Sequence, residues 1–254
     1  MSGWSVLFWL IVTFLLLHPL NRWISTHVQG VAFLLTGNIN VAMWFFWVLF
    51  LPGTLLHEVS HWLTANLLRV KTGRLTLWPK YKRGGQLQMG AVQVDVADPF
   101  RHSLIGLAPL IFGSVAVLII GLGWLDLEQI GLALTTGNLE TIWQAVVDTL
   151  SVPDIWLWLY LIFAISNAML PSTSDRESWR AVLIYVGLAI LFAVGLGVIP
   201  TITPQFQEFG ITVLTYLLSA FTITIAVDIF FIILILLAEI MISWILGRRV
   251  QYNR

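Results

Sequence analysis

The sequence predicts an all-α polytopic membrane protein of about six transmembrane helices, folded as a single membrane domain with one small β-hairpin on the cytoplasmic side. Three observations carry that expectation. Of 254 residues, 58% are apolar and only 10% charged, against roughly 25% charged in a soluble domain, and mean hydropathy is +0.89. About six stretches reach the length of about 20 mostly apolar residues that crosses about 30 Å of hydrocarbon at about 1.5 Å per residue. The basic residues fall unevenly among the segments between those stretches. Soluble enzymes, nucleic-acid binders and disordered chains are disfavoured together. With 13 basic and 13 acidic residues the net charge is zero, so nothing draws the chain to nucleic acid. The absence of cysteine removes disulfides, thiol nucleophiles and thiolate metal sites.

The first span is expected at 4–20. Residues 1–4 carry no Lys or Arg, and His18-Pro19-Leu20 is not a small-residue cleavage site, so this stretch reads as a retained helix rather than a signal peptide. Within 21–40 the apolar run 31–35 is too short to cross, which places the segment at the interface or makes it re-entrant. The second span, 41–68, contains Pro52-Gly53, where a first-turn proline and a kink are both expected. Residues 70–96 then change period. Arg74-Leu75-Thr76-Leu77-Trp78 alternates polar and apolar, a turn-rich stretch follows, and Gln86-Leu87-Gln88-Met89 alternates again, which reads as a β-hairpin over about 74–94. Further spans are expected at 103–123, 154–171, 179–199 and 212–246.

Six crossings place Arg69, Lys71, Arg74, Lys80, Lys82, Arg83, Arg101, Arg176, Arg180, Arg248, Arg249 and Arg254 on one face and leave Arg22 alone opposite. The positive-inside rule makes that face cytoplasmic or stromal and puts both termini there, in a bacterial inner, thylakoid or organelle membrane. Trp78, Trp124, Trp143, Trp179 and Trp244 fall near expected interfaces, and His27 and His102 read as interfacial residues rather than ligands.

The most informative residues are His57, Glu58 and His61, an H-E-x-x-H string inside the second span. Positions i and i+4 share a helix face about 6 Å apart, so both imidazoles can reach one metal ion, with Glu58 beside it to take a proton from water. A carboxylate and two histidines in hydrocarbon are costly unless paired or metal-bound, which argues for function. A catalytic site of this kind takes a third protein ligand. Without cysteine the candidates are His, Asp or Glu: Asp175, after the fourth span on the histidines' side, is the first choice, and Glu239 and Asp228 in the last span compete.

These residues resemble the site-2 protease family of intramembrane zinc metalloproteases over roughly residues 41–180. His57, Glu58 and His61 match its first motif, and the alternating segment matches the hairpin that follows it. Asn167 and Asp175 match the family's N-x-x-P…D-G string at its separation of eight. Here Pro171 stands one residue later than in the family, Arg176 replaces Gly, and Ala108 and Phe112 depart from its A-G-P-x-x-N turn. The resemblance implies zinc held by His57, His61 and Asp175, with Glu58 as general base and Asn167 supporting substrate or oxyanion. Its substrates would be membrane-anchored proteins or peptides within the lipid bilayer. It also admits a catalytically weak or inactive relative serving as a membrane assembly or chaperone factor. A proton or cation path through Asp228 and Glu239 is a third reading from the residues alone.

Overall fold

The computed structural model describes residues 3–81, 87–88, 90–95, 97–196 and 204–252. Helix α1 (Gly3–Thr36) is one continuous helix of 34 residues with Pro19 inside it. The expected break into a first span and a separate interfacial or re-entrant segment at 21–40 does not occur. Polar residues within an apolar helix are tolerated where neighbouring segments satisfy them, and Asn21 is satisfied by a later helix, as described below. Gly37 ends α1 at φ 64, its N–H donating to the Phe33 carbonyl over 2.8 Å. This left-handed stop suits glycine, which has no Cβ to strain.

The second expected span is a bent pair. The Asn38 side chain caps α2 (Ile39–Leu49) by accepting from the Asn40 N–H. After Phe50, α3 (Leu51–Leu67) sets off at 65°. Pro52 lies in its first turn, where the missing N–H has no intrahelical partner to lose. Gly53 lets the helix meet the Ala164 backbone, a spot that any Cβ would fill.

The hairpin forms as two nested antiparallel pairs. β1 (Thr72–Thr76) pairs with β4 (Ala91–Val94), and β2 (Lys80–Tyr81) pairs with β3 (Leu87–Gln88). Of the turn-rich stretch expected at 79–85, Lys80–Tyr81 form β2 instead, and 82–85 lie outside the described residues. The Trp47 indole N–H donates to the Leu77 carbonyl over 2.6 Å, and the Trp47 and Trp78 rings stack 5.5 Å apart, which ties the hairpin to α2.

Helix α4 (Pro99–Leu118) is capped by the Asp98 side chain, which accepts from the Arg101 N–H, and continues as a π-helical turn, Ile119–Trp124. Two helices with no counterpart in the sequence reading follow, α5 (Leu127–Thr136) and α6 (Leu139–Leu150). α6 meets α7 (Ile155–Met169) at 92°. None of the described side chains in α8 (Trp179–Gly195) is buried, whereas α9 (Pro204–Leu246) runs for 43 residues.

Among the described residues α1, α4 with its π turn, and α9 are long and apolar enough to cross a membrane singly. The pairs α2–α3 and α6–α7 raise the count among the described residues to as many as five; α8 contributes 17 apolar residues to the span expected at 179–199, whose last residues lie outside those described. α1 and α9 pack in parallel: Gly3 lies against Ile211, and the Phe14 and Phe221 rings are 6.0 Å apart. The main core joins Ile24, Val28, Phe50, Ile162, Phe163 and Val227. A smaller cluster of Leu17, Leu110, Met169 and Phe221 packs where α1, α4, α7 and α9 meet.

Candidate metal centre

The regular turn of α3 places His57 and His61 side by side, with their Nε2 atoms 3.1 Å apart. Each ring is held from behind. His57 Nδ1 lies 2.7 Å from the Ala168 carbonyl, and His61 Nδ1 lies 2.8 Å from that of Ile105. A carbonyl can only accept, so both Nδ1 atoms carry the proton and both Nε2 lone pairs face the cluster. The sequence frees these carbonyls locally. In an uninterrupted helix Ile105 would accept from residue 109, but that residue is Pro109 and has no N–H. Ala168 lies in the last turn of α7, where carbonyls lack helical partners. The Ser172 N–H that could reach it donates instead to Asp175 Oδ2 over 2.7 Å.

That same bond fixes the third member. Asp175 sits in the 170–178 connection between α7 and α8, with Oδ1 3.3 Å from His61 Nε2 and Oδ2 3.7 Å from His57 Nε2. The turn closes with the Asp175 N–H donating to Ser172 Oγ. Burial acts to raise the Asp175 carboxyl, but its hydrogen bonds to His61 and Ser172 prevail and hold it below the usual carboxylate range. Gly106 makes the approach possible: a Cβ there would run into the Asp175 backbone carbonyl.

His57, His61 and Asp175 form a group able to hold a metal ion. An ion bound at about 2.0–2.1 Å in tetrahedral geometry has ligand–ligand edges of about 3.3–3.4 Å. Two separations here match that value, 3.1 Å between the two Nε2 atoms and 3.3 Å from His61 Nε2 to Asp175 Oδ1, while His57 Nε2 has the other carboxylate oxygen, Oδ2, at 3.7 Å; taking one ligand atom from each residue, all three lie within 4.8 Å of one another. Three protein ligands leave a fourth position for water or substrate.

Glu58 is buried, at 7% exposure, and stands outside the ligand group. Its carboxylate lies against β4, beside the Val92 backbone amide and the bare Cα of Gly90.

The structure does not bring the other named residues into the cluster. The Asn167 amide donates to Asp228 Oδ1 over 2.8 Å and to the Phe163 carbonyl over 2.9 Å. Asn21 donates to the Asn167 backbone carbonyl over 2.6 Å, which is free because the residue four positions on is Pro171. Asp228 is thereby occupied with Asn167, and Glu239 lies near Tyr252, so neither competes with Asp175. His27 stacks between Trp23 and Tyr252, and His102 meets Ser178. Sequence reading gave no role to Gly106, Ser172 or Gly90, and placed Pro109 only as the proline of the A-G-P-x-x-N turn. Only Pro109, a proline inside an apolar span, offered a signal.

Compared with models of protein families, with curated proteins and with solved structures, the chain matches none.

Proposed function

We propose that this chain is an intramembrane zinc metalloendopeptidase that hydrolyses peptide bonds of membrane-anchored proteins, as its resemblance to site-2 proteases implies. The observation that carries the reading is the convergence of two imidazoles and one carboxylate, with one ligand atom from each within 4.8 Å of the others, and a buried glutamate alongside that stands outside this group. Imidazole and carboxylate donors suit zinc, and three of them make an open catalytic site rather than a closed structural one. Zinc bound there supplies Lewis acidity, which lowers the pKa of a coordinated water to about 7 and polarises a carbonyl.

The protein's own residues supply the rest. Ala168 and Ile105 hold the two rings in one tautomer and orientation, as outer partners of metal-ligating histidines do. Glu58 accepts the proton of the attacking water and passes it to the leaving amine. Burial against β4 keeps its carboxylate aimed and shielded. The Asn167 amide is committed to Asp228 and so does not serve the oxyanion in this arrangement; its place is in holding α7, whose Ala168 carbonyl orients His57. β4 passes over Glu58, so its edge can also receive an extended substrate by strand addition. The basic segment around the hairpin faces the cytoplasm or stroma, from which water enters.

Purified protein should carry one zinc per chain, and His57→Ala should abolish it. Glu58→Gln should keep the zinc yet fail to cleave a helical membrane-anchored model substrate. A wild type without stoichiometric metal removes the foundation of the reading, and a Glu58→Gln protein that still cuts removes Glu58 from its role. The diversion of Asn167 favours one second reading, a metal-bound but non-cleaving assembly or chaperone factor. Zinc at one per chain with no cleavage by the wild type selects it.

A further inference from the structure

We infer that the cavity between α1 and the 170–176 loop binds the phosphate group of an anionic phospholipid. This goes beyond the peptidase reading and stands without it. The cavity measures about 480 Å³ and is lined by His18, Arg22 and Thr26 of α1 and by Ser172, Thr173 and Arg176 of the loop. Its size falls in the range of about 300–1,000 Å³ typical of small-ligand sites.

Three observations point to that ligand. First, Arg22 sits in the interior of an apolar helix, where a cation is costly without a partner. The sequence reading put it on the face opposite the other basic residues, but the structure brings it to Arg176 across one cavity. Among the described residues neither guanidinium lies within 4.0 Å of a carboxylate: the ion pairs are those of Asp175 with the two histidines and of Asp98 with Arg101. Arg176 Nε donates to the Ser172 carbonyl, which leaves its two terminal amino groups free for a ligand.

Second, the lining offers two guanidinium forks together with hydroxyl donors. One fork satisfies a carboxylate; a phosphate, with more acceptor oxygens and comparable charge, engages both. Third, the site continues an apolar track. Phe8, Ile11 and Leu15, all exposed, share one helical stripe with His18 and Arg22 at steps of three and four residues. A lipid with its phosphate at Arg22 and Arg176 can lay an acyl chain along that stripe, which a free phosphate cannot use. The phosphate would then touch the loop that presents Asp175.

The test uses full-length protein in nanodiscs or neutral detergent. Phosphatidylglycerol and phosphatidylcholine of identical acyl chains are titrated, with bound lipid read by native mass spectrometry; neither metal nor cleavage enters the readout. The expected preference for phosphatidylglycerol is about 30-fold, which is about 2 kcal/mol, the scale of two basic residues at a membrane surface. R22Q/R176Q should erase the preference, and R22K/R176K should keep part of it, which separates lost charge from lost fold. Equal retention of the two lipids by the wild type overturns the inference, as does a preference unchanged in R22Q/R176Q. Inorganic phosphate titrated by calorimetry forms the second arm. Arginine-dependent binding of it, with neither lipid retained, assigns the cavity to a free phosphate and overturns the lipid source.

Discussion

Replacing Gly106 by alanine tests how the third ligand is held. The new Cβ would fall against the Asp175 carbonyl oxygen and 3.0 Å from its carbon, contacts with backbone that no side-chain rotation relieves. Either α4 or the 172–178 turn must withdraw by on the order of 1 Å. His57 is anchored on α7, at Ala168, and stays; withdrawal of the turn lengthens the Asp175 contacts of 3.3 and 3.7 Å, and withdrawal of α4 also draws the Ile105 carbonyl away from His61, so either movement disturbs the ligand set. A ligand moved by that much leaves the roughly 0.2 Å tolerance of a metal bond. We predict a loss of about 100-fold in metal affinity, about 2.7 kcal/mol, the upper end for disturbed support of a metal site. Competition with a chromophoric chelator in detergent reads that affinity directly. Gly131→Ala, where a Cβ meets open space, serves as the control for a helical glycine. Wild-type affinity in Gly106→Ala, with Gly131→Ala also unchanged, would show that the close approach of Asp175 to α4 does not set the site.

Gly90→Ala would bring a Cβ within 2.8 Å of Glu58 Cγ and Oε1; cleavage should fall by about tenfold or more while bound metal stays at the wild-type level, since no ligand moves. Asn167→Ala leaves Asp228, 1% exposed, without its amide donor. Thermal unfolding in detergent should register a loss of about 1–3 kcal/mol, the cost of a buried polar group stripped of its partner, and Asp228→Asn added to it should recover part. Pro109→Ala restores an N–H four residues beyond Ile105, which competes with His61 for that carbonyl. Metal affinity should drop by about 10-fold to 100-fold although the helix itself is stabilised, so affinity and melting temperature move in opposite directions. If both rise together, the carbonyl is not what orients His61.

The fold and the site were legible in the sequence to different depths, for physical reasons. The pair His57 and His61 could be read because a helix imposes its period on any neighbours four apart, whatever surrounds them. The hairpin could be read because period two survives in short strands. Asp175 is separated from His61 by 114 positions, beyond the reach of periodicity; its place after the fourth span, on the face expected for the histidines, made it the first choice over Glu239 and Asp228, and the resemblance agreed. α1 was divided too early because His18, Asn21 and Arg22 interrupt the apolar run, and hydropathy cannot tell a helix end from a helix whose polar turn faces a partner. Here the partners are the Asn167 carbonyl and a cavity beside the 170–176 loop. The crossing expected at 179–199 runs past the described residues, which stop at 196. Within them α8 is an apolar helix of 17 residues, and its apolar run alone does not set where a crossing ends.

Two prolines connect these levels. Hydropathy treats Pro109 and Pro171 as interruptions, and helix propensity treats them as penalties of about 3 kcal/mol. Their effect in this chain is to release backbone acceptors at chosen depths: the Ile105 carbonyl for His61, and the Asn167 carbonyl for Asn21. Carbonyls freed in this way need no side chain to be positioned and cannot swing away, because the helix fixes them. A ligand anchored on backbone therefore survives the loss of any neighbouring side chain but not the restoration of a missing N–H. The metal centre is consequently most sensitive at residues that touch no metal, a proline in α4 and a glycine three residues before it, where the usual substitutions to alanine would improve an ordinary helix.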